Sequence, residues 1–78
     1  MKLTIDKEKK EAAYLQLYTQ LKEDILKGHL RQGARLPSKR LLAAEQDISV
    51  ITVEHAYALL VDEGYAVSRE RSGYFVSF

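Results

Sequence analysis

Residues 36–65 are LPSKRLLAAEQDISVITVEHAYALLVDEGY, and residues 66–76 continue as AVSRERSGYFV. The first stretch predicts a short helix, a tight turn and a second helix, and the second stretch predicts a β-hairpin with basic residues near its tip. This order is typical of a winged helix-turn-helix, in which one helix lies in the DNA major groove and the hairpin, or wing, contacts the backbone or minor groove beside it. The stretch therefore predicts a fold and a partner together.

Two serines mark where the helices of this stretch begin. Ser38 and Ser49 can each accept hydrogen bonds from the unpaired backbone N–H groups of a first helical turn, and Pro37 disfavours a helix upstream of Ser38. We expect the first of these helices to end near Gln46 and the second to stop at Gly64. One face of the second helix is expected to be buried through Val53, Ala56, Tyr57 and Leu60.

A further helix is expected upstream of this stretch. Over residues 11–27, apolar side chains recur every three or four positions, which predicts a helix that ends before Gly28. We expect residues 1–10 to be a flexible, charged lead-in and residues 11–78 to form the winged helix-turn-helix domain. Residues 34–36 are expected to add a short edge strand.

Two strands are expected to form the wing. Residues 65–68 and 74–78 are rich in aromatic and β-branched side chains, and Gly73 suits a turn position that needs a positive φ. A hairpin is not stable alone, so it must pack on the helices, and the inward residues are expected among Tyr65, Val67, Phe75 and Val76. The predicted class is therefore α+β, a small winged helix-turn-helix with three helices and a C-terminal β-hairpin wing.

The composition excludes several classes of protein. The chain has 78 residues and 46% apolar content, which suits one small globular domain. It has no cysteine for disulfides or thiolate metal sites, and no apolar run approaches the roughly 18 residues that a membrane helix needs. The start, MKLTIDKEKKE, lacks the apolar stretch of a signal peptide, so we expect a cytoplasmic protein without a membrane partner.

The sequence also gives no indication of an enzyme. His29 and His55 are far apart and have no obvious nucleophile or orienting group near them in the sequence. A glycine-rich phosphate loop and metal-ligand spacings are lacking as well. We therefore expect a binding module with no cofactor or metal in this chain.

Charge is segregated along the chain, although its net value is only +1. Residues 27–40 contain five basic residues and no acid, whereas residues 41–68 contain five acids and no lysine or arginine. Arg69 and Arg71 follow in the expected wing. Segregation of this kind allows a basic surface on a nearly neutral chain, although such charges can also serve only to solvate opposite faces.

Taken together, these residues resemble the DNA-binding domain of GntR-type bacterial transcription regulators, from about residue 14 to residue 76. The MocR branch of that family is the most similar, and the YtrA-like branch is second. The matching pieces, in order, are Leu17-Tyr18, Leu36-Pro37-Ser38-Lys39-Arg40, Ile48-Ser49, Thr52-Val53, Ala56-Tyr57, Glu63-Gly64-Tyr65 and Ser72-Gly73-Tyr74-Phe75-Val76.

The resemblance also implies a DNA partner, a homodimer and a further domain. GntR-type regulators bind double-stranded DNA as homodimers, and the resemblance places the dimer contacts in a C-terminal domain that is missing from this chain. In the MocR branch that domain is aminotransferase-like and binds pyridoxal phosphate. We therefore expect this chain to be the N-terminal, DNA-binding part of a bacterial regulator.

Candidate DNA contacts fall into three groups. The N-terminus of the first helix of the helix-turn-helix suits a phosphate, and the resemblance gives Arg40 a contact to the backbone or a base. Hydroxyl groups and His55 on the next helix can meet phosphates or base edges, and exposed arginines of the wing can enter a minor groove. Plainer interpretations are helix caps, solvated cations and a charged edge that keeps the hairpin soluble. The predicted contact residues are Ser38, Lys39, Arg40, Ser49, Val50, Thr52, His55, Arg69, Arg71, Ser72 and Gly73.

Two residues depart from the family pattern and keep an alternative open. Many relatives carry arginine where this chain has Val50, and some carry it where this chain has Glu54. Val50 can only touch a thymine methyl, while Glu54 can accept from a cytosine amino group or be repelled by phosphate. Such an apolar, slightly acidic face also suits a protein-interaction winged helix, which is the alternative function; RNA binding lacks stacking aromatics in its favour.

Overall fold

The computed structural model describes residues 2–78 and shows three helices followed by a two-stranded antiparallel sheet. The predicted winged helix-turn-helix is confirmed. The elements are α1 (Ala13–Leu26), α2 (Lys39–Gln46), α3 (Val50–Asp62), β1 (Ala66–Arg69) and β2 (Gly73–Val76).

Local side-chain chemistry sets the ends of α2 and α3. The Ser38 hydroxyl accepts from the backbone N–H of Leu41 at 3.2 Å, and the Ser49 hydroxyl accepts from that of Thr52 at 3.0 Å. Asp47 ends α2 in the left-handed conformation, with φ of 54°, which a short polar side chain tolerates better than most. Both serine caps and the turn between the two helices are therefore as predicted.

The core lies where α1 and α2 pack on α3 and where β1 packs on α3. Tyr57 is the largest fully buried side chain, and the predicted inner face of α3 is fully buried. The buried apolar residues are Leu17, Leu21, Ile25, Leu36, Leu42, Ala43, Val53, Ala56, Tyr57, Leu60, Ala66 and Val76.

The wing pairs Ala66 with Val76, and this register decides which side chains face the helices. Because side chains alternate along a strand, Val67 falls on the outer face, where it is 37% exposed, while Ala66 is buried. The expectation that Val67 points inward is wrong, whereas Val76 is buried as expected. The segment 34–36 pairs with β2 through an isolated bridge from Arg35 to Phe75, consistent with the expected edge strand.

The N-terminal arm, defined as residues 2–12, is docked on α1. The side-chain amide of Gln20 donates to the carbonyl of Thr4 and accepts from its N–H, at 2.7 and 2.8 Å. Gln16 does the same for Asp6, at 2.8 Å for both bonds. Leu3 and Ile5 of the arm pack against the core. The structure therefore differs from the expected flexible lead-in over residues 1–10, although Met1 lies outside the described residues.

Candidate nucleic-acid interface

A groove of about 230 Å³ separates the start of α2 from the tip of the wing. Three of its lining residues are cations, namely Arg35, Lys39 and Arg71, and none is an acid. We call this feature the cationic groove. The other lining residues are Leu36, Pro37, Ser38, Ser72, Gly73 and Tyr74.

The wing tip is a tight turn that only particular backbone conformations allow. The Ser72 N–H donates to the Arg69 carbonyl at 3.0 Å, and Arg71 adopts a φ of 65°. Gly73 has a φ of 109°, and a Cβ added there would lie 3.2 Å from the Arg35 Nε. Glycine is therefore required both for this backbone conformation and for the close approach of the Arg35 guanidinium, which lies against the wing.

Lys39 is held on the α3 side of the groove by two neighbours. Its Nζ lies 2.7 Å from a carboxylate oxygen of Glu54 and 5.9 Å from the centre of the Tyr74 ring. The hydrogen bond that Lys39 donates to Glu54 is the main cause that raises the pKa of the Lys39 ammonium, so Lys39 is cationic at neutral pH. The Lys39–Glu54 ion pair links the first residue of α2 to the middle of α3.

Tyr57 fixes α2 and the wing relative to α3. Its hydroxyl donates to the Pro37 carbonyl at 2.7 Å, and its ring meets the Tyr74 ring edge-on at 4.9 Å. Burial raises the pKa of the Tyr57 phenol, so the hydroxyl remains a neutral donor. The Tyr74 ring therefore packs on the core. One buried side chain of α3 thus touches both walls of the cationic groove.

The outer side of α3 is open to solvent. Ile51 is 74% exposed and Val50 is 37% exposed, and Ala58 lies on the same exposed side as Ile51. The Ser49 hydroxyl caps α3 through the Thr52 N–H, and the hydroxyls of Ser49 and Thr52 are 2.8 Å apart and hydrogen-bonded to each other. We call Ile51, Glu54 and Ala58 the outer row of α3.

His55 is exposed on α3, and its ring is also held by a neighbour from α1. Its ring stacks on the Tyr14 ring of α1, with centroids 3.6 Å apart and planes 10° from parallel. This stack fixes His55 on the flank of α3 that faces α1. Glu54, a member of the outer row, pairs instead with Lys39 of α2, so the outer row carries the ion pair and the stacked His55 lies beside it.

The structure brings together only some of the predicted contact residues. The cationic groove gathers Ser38, Lys39, Arg71, Ser72 and Gly73. The remaining predicted residues lie outside its lining: Arg40 at the first turn of α2, Ser49, Val50, Thr52 and His55 on α3, and Arg69, whose guanidinium lies 5.1 Å from the Phe75 ring centre.

Two pairings at this surface were not predicted from the sequence. Arg35, a cation of the basic run over residues 27–40, lines the groove and approaches Gly73 of the wing. Glu54 pairs with Lys39 fifteen positions away, a distance at which residue spacing gives no signal. Across residues 2–78, no cluster of three or more His, Cys, Asp or Glu residues is arranged to hold a metal ion. None of the helices described is long and apolar enough to cross a membrane.

Comparison with known sequences identifies relatives of this chain. The sequence model of the family described as bacterial regulatory proteins, gntR family, matches residues 13–76. The uncharacterized HTH-type transcriptional regulator YdeL of Bacillus subtilis is 51% identical over 65 residues, which are 83% of this chain and 14% of YdeL. The probable rhizopine catabolism regulatory protein MocR of Rhizobium meliloti is 39% identical over 75 residues, 96% of this chain and 15% of MocR. The chain thus spans about one seventh of the length of these relatives.

Solved structures share the fold. YtrA from Sulfolobus acidocaldarius, a GntR-family transcription factor, superposes with a TM-score of 0.91 at 42% identity, covering 97% of this chain and 80% of YtrA. The DNA-binding domain of AraR in complex with operator ORE1 has a TM-score of 0.82 at 22% identity, covering 99% of this chain and 94% of that domain. At that identity the AraR comparison supports the fold alone.

Proposed function

The chain belongs to the gntR family of bacterial regulatory proteins, and from this premise we propose how it binds double-stranded DNA. In this proposal α3 enters the major groove, with its outer row facing the base edges. The wing and the start of α2 then lie beside it, on the backbone or the minor groove. The AraR domain, which has this fold, was solved with its operator, and YtrA is a transcription factor.

The observation that carries this proposal is the cationic groove next to the exposed side of α3. Arg35, Lys39 and Arg71 line one cleft, and the N–H groups at the start of α2 open beside it. Guanidinium and ammonium groups around a helix N-terminus suit a phosphate. The groove is therefore proposed to receive the sugar-phosphate backbone that borders the major groove in which α3 lies.

Base recognition by α3 is proposed to rely on apolar contacts. Val50 and Ile51 offer methyl groups to thymine methyls, and the first turn of α3 carries no arginine to pair with guanine. The hydroxyls of Ser49 and Thr52 already bond to each other, so they contribute mainly by holding that turn. Most of the affinity then comes from phosphate neutralisation, which makes binding strongly dependent on salt.

The wider role follows from the relatives. We propose that these residues are the DNA-binding part of a longer cytoplasmic transcription regulator that pairs with a second copy through another domain. In a MocR-branch protein, pyridoxal phosphate would bind in that other domain, and its chemistry uses none of the residues described here. The domain itself then acts by binding rather than by catalysis. A protein-interaction module is not favoured by any of these relatives.

A salt titration with one charge variant tests the proposal. We expect the 78-residue domain to bind random duplex DNA with a log–log salt slope of around −3 to −5, from about five cations near phosphates. Arg71→Asn keeps a residue that tolerates positive φ but removes a groove cation, so the slope becomes shallower by about 0.9. Lys27→Ala, outside the groove lining, is the matched control and leaves the slope unchanged. If the folded domain does not bind duplex DNA at low salt, the proposed function is contradicted.

A further inference from the structure

The Glu54 carboxylate contacts Lys39, the least exposed of the three cations that line the groove. Its Oε2 lies 2.7 Å from the Lys39 Nζ, a distance typical of a charge-assisted hydrogen bond. The side chains of Lys39 and Glu54 remain 33% and 46% exposed. The pair is therefore open to solvent and can be exchanged, unlike a buried ion pair.

A phosphate and the Glu54 carboxylate would use the same atoms of Lys39. Both are anions with oxygen acceptors, and both bind an ammonium at close range. Lys39 lines the cationic groove together with Arg35 and Arg71, where DNA phosphates are proposed to bind. A phosphate that enters the groove must then displace Glu54 from Lys39, or share the three N–H donors of Lys39 with Glu54 and lie close to a second anion.

We propose that Glu54 competes with DNA phosphate for Lys39 and so suppresses sequence-independent DNA binding. This inference rests on the proposed function. In the unbound domain Glu54 neutralises one of the three groove cations. Binding to any duplex is weakened by one phosphate contact, because the sequence-independent part of affinity scales with the number of phosphates neutralised.

A double-mutant cycle isolates the competition. Dissociation constants for a random duplex of about 20 base pairs are measured from about 20 to about 200 mM salt for wild type, E54Q, K39M and the double variant. In the wild-type background, E54Q is expected to tighten binding by about fivefold and to steepen the salt slope by about 0.9. In the K39M background, E54Q is expected to change the affinity by less than about 1.5-fold, since there is no ammonium to release.

Asp62→Asn is the matched control. It removes one negative charge from the last residue of the same helix, away from the groove lining. We expect its effect on affinity to be less than half that of E54Q, because exposed charges more than a Debye length from phosphates are largely screened. Thermal unfolding of each variant verifies that these exposed substitutions leave the fold intact.

The outcomes separate this inference from the proposed function. If E54Q tightens DNA binding equally with and without Lys39, Glu54 repels DNA in general, and the proposed competition for Lys39 is overturned. Weaker DNA binding by E54Q than by wild type also overturns it. In both of these cases the wild-type domain still binds DNA, so the proposed function stands. If wild type and E54Q both fail to bind duplex DNA at low salt, the two ideas fall together.

Discussion

Tyr57→Phe removes a single hydroxyl from the side chain that joins α3 to both walls of the cationic groove. The Tyr57 ring is fully buried, and its hydroxyl donates to the Pro37 carbonyl at 2.7 Å. Phenylalanine keeps the ring and its edge contact with Tyr74 but leaves that carbonyl without its donor. The substitution therefore changes hydrogen bonding with almost no change in packing volume.

The magnitude follows from the loss of one hydrogen bond in a mostly buried place. A typical intramolecular hydrogen bond contributes about 0.5–1.5 kcal/mol, and an unsatisfied buried acceptor costs about 1–3 kcal/mol. We expect a loss of about 1.5–2 kcal/mol in the free energy of unfolding, because the Pro37 carbonyl is only partly buried. For a domain of this size, the melting temperature should fall by roughly 8–12 °C.

Urea denaturation followed by far-UV circular dichroism measures this loss. The midpoint should fall while the slope with urea concentration stays constant, since the same surface is exposed on unfolding. Tyr65→Phe is the matched control, because Tyr65 is half-buried and its hydroxyl makes no hydrogen bond within residues 2–78. A Tyr57→Phe variant within about 0.3 kcal/mol of wild type would refute the assignment of this hydrogen bond as the link between α3 and the start of α2.

Two further predictions concern the wing and the N-terminal arm. Gly73→Ala places a side chain at a φ of 109° and against the Arg35 guanidinium. The free energy of unfolding measured in urea should therefore fall by about 1–3 kcal/mol, and DNA binding should weaken. An unchanged urea midpoint contradicts this prediction. Gln16→Ala removes both hydrogen bonds that hold Asp6, so amide hydrogen exchange of residues 3–6 should speed up at least about tenfold. Exchange of those amides at the wild-type rate would show that the arm is held by Gln20, Leu3 and Ile5 instead.

Features set by neighbouring residues could be predicted from the sequence. The caps at Ser38 and Ser49 and the positive φ of Gly73 depend on the chain within a few positions, so residue type alone indicates them. The helical stripe of α3 was likewise predicted because its period of 3.6 is visible in the sequence. These local rules also located the start of α2 and the wing tip, the two walls of the groove.

Features set by distant pairs could not be predicted. The Lys39–Glu54 pair, the Arg35 guanidinium at Gly73 and the Gln16 amide at Asp6 each depend on how elements pack, not on spacing along the chain. Val67 was misplaced for a related reason. A shift of one residue in the register of a strand moves every side chain to the other face of the sheet. Only the pairing of β1 with β2 decides which face each side chain occupies.

Two residues of the outer row of α3, Ile51 and Ala58, take almost no part in holding the domain together. Ile51 is largely exposed, and Ala58 is exposed beside it, while the opposite face of the helix provides the core. Substitutions at these two positions should therefore be nearly neutral for stability. Under the proposed docking, changes at these two positions alter operator recognition without first requiring compensating mutations, and an engineer can randomise the same two codons on an unaltered scaffold.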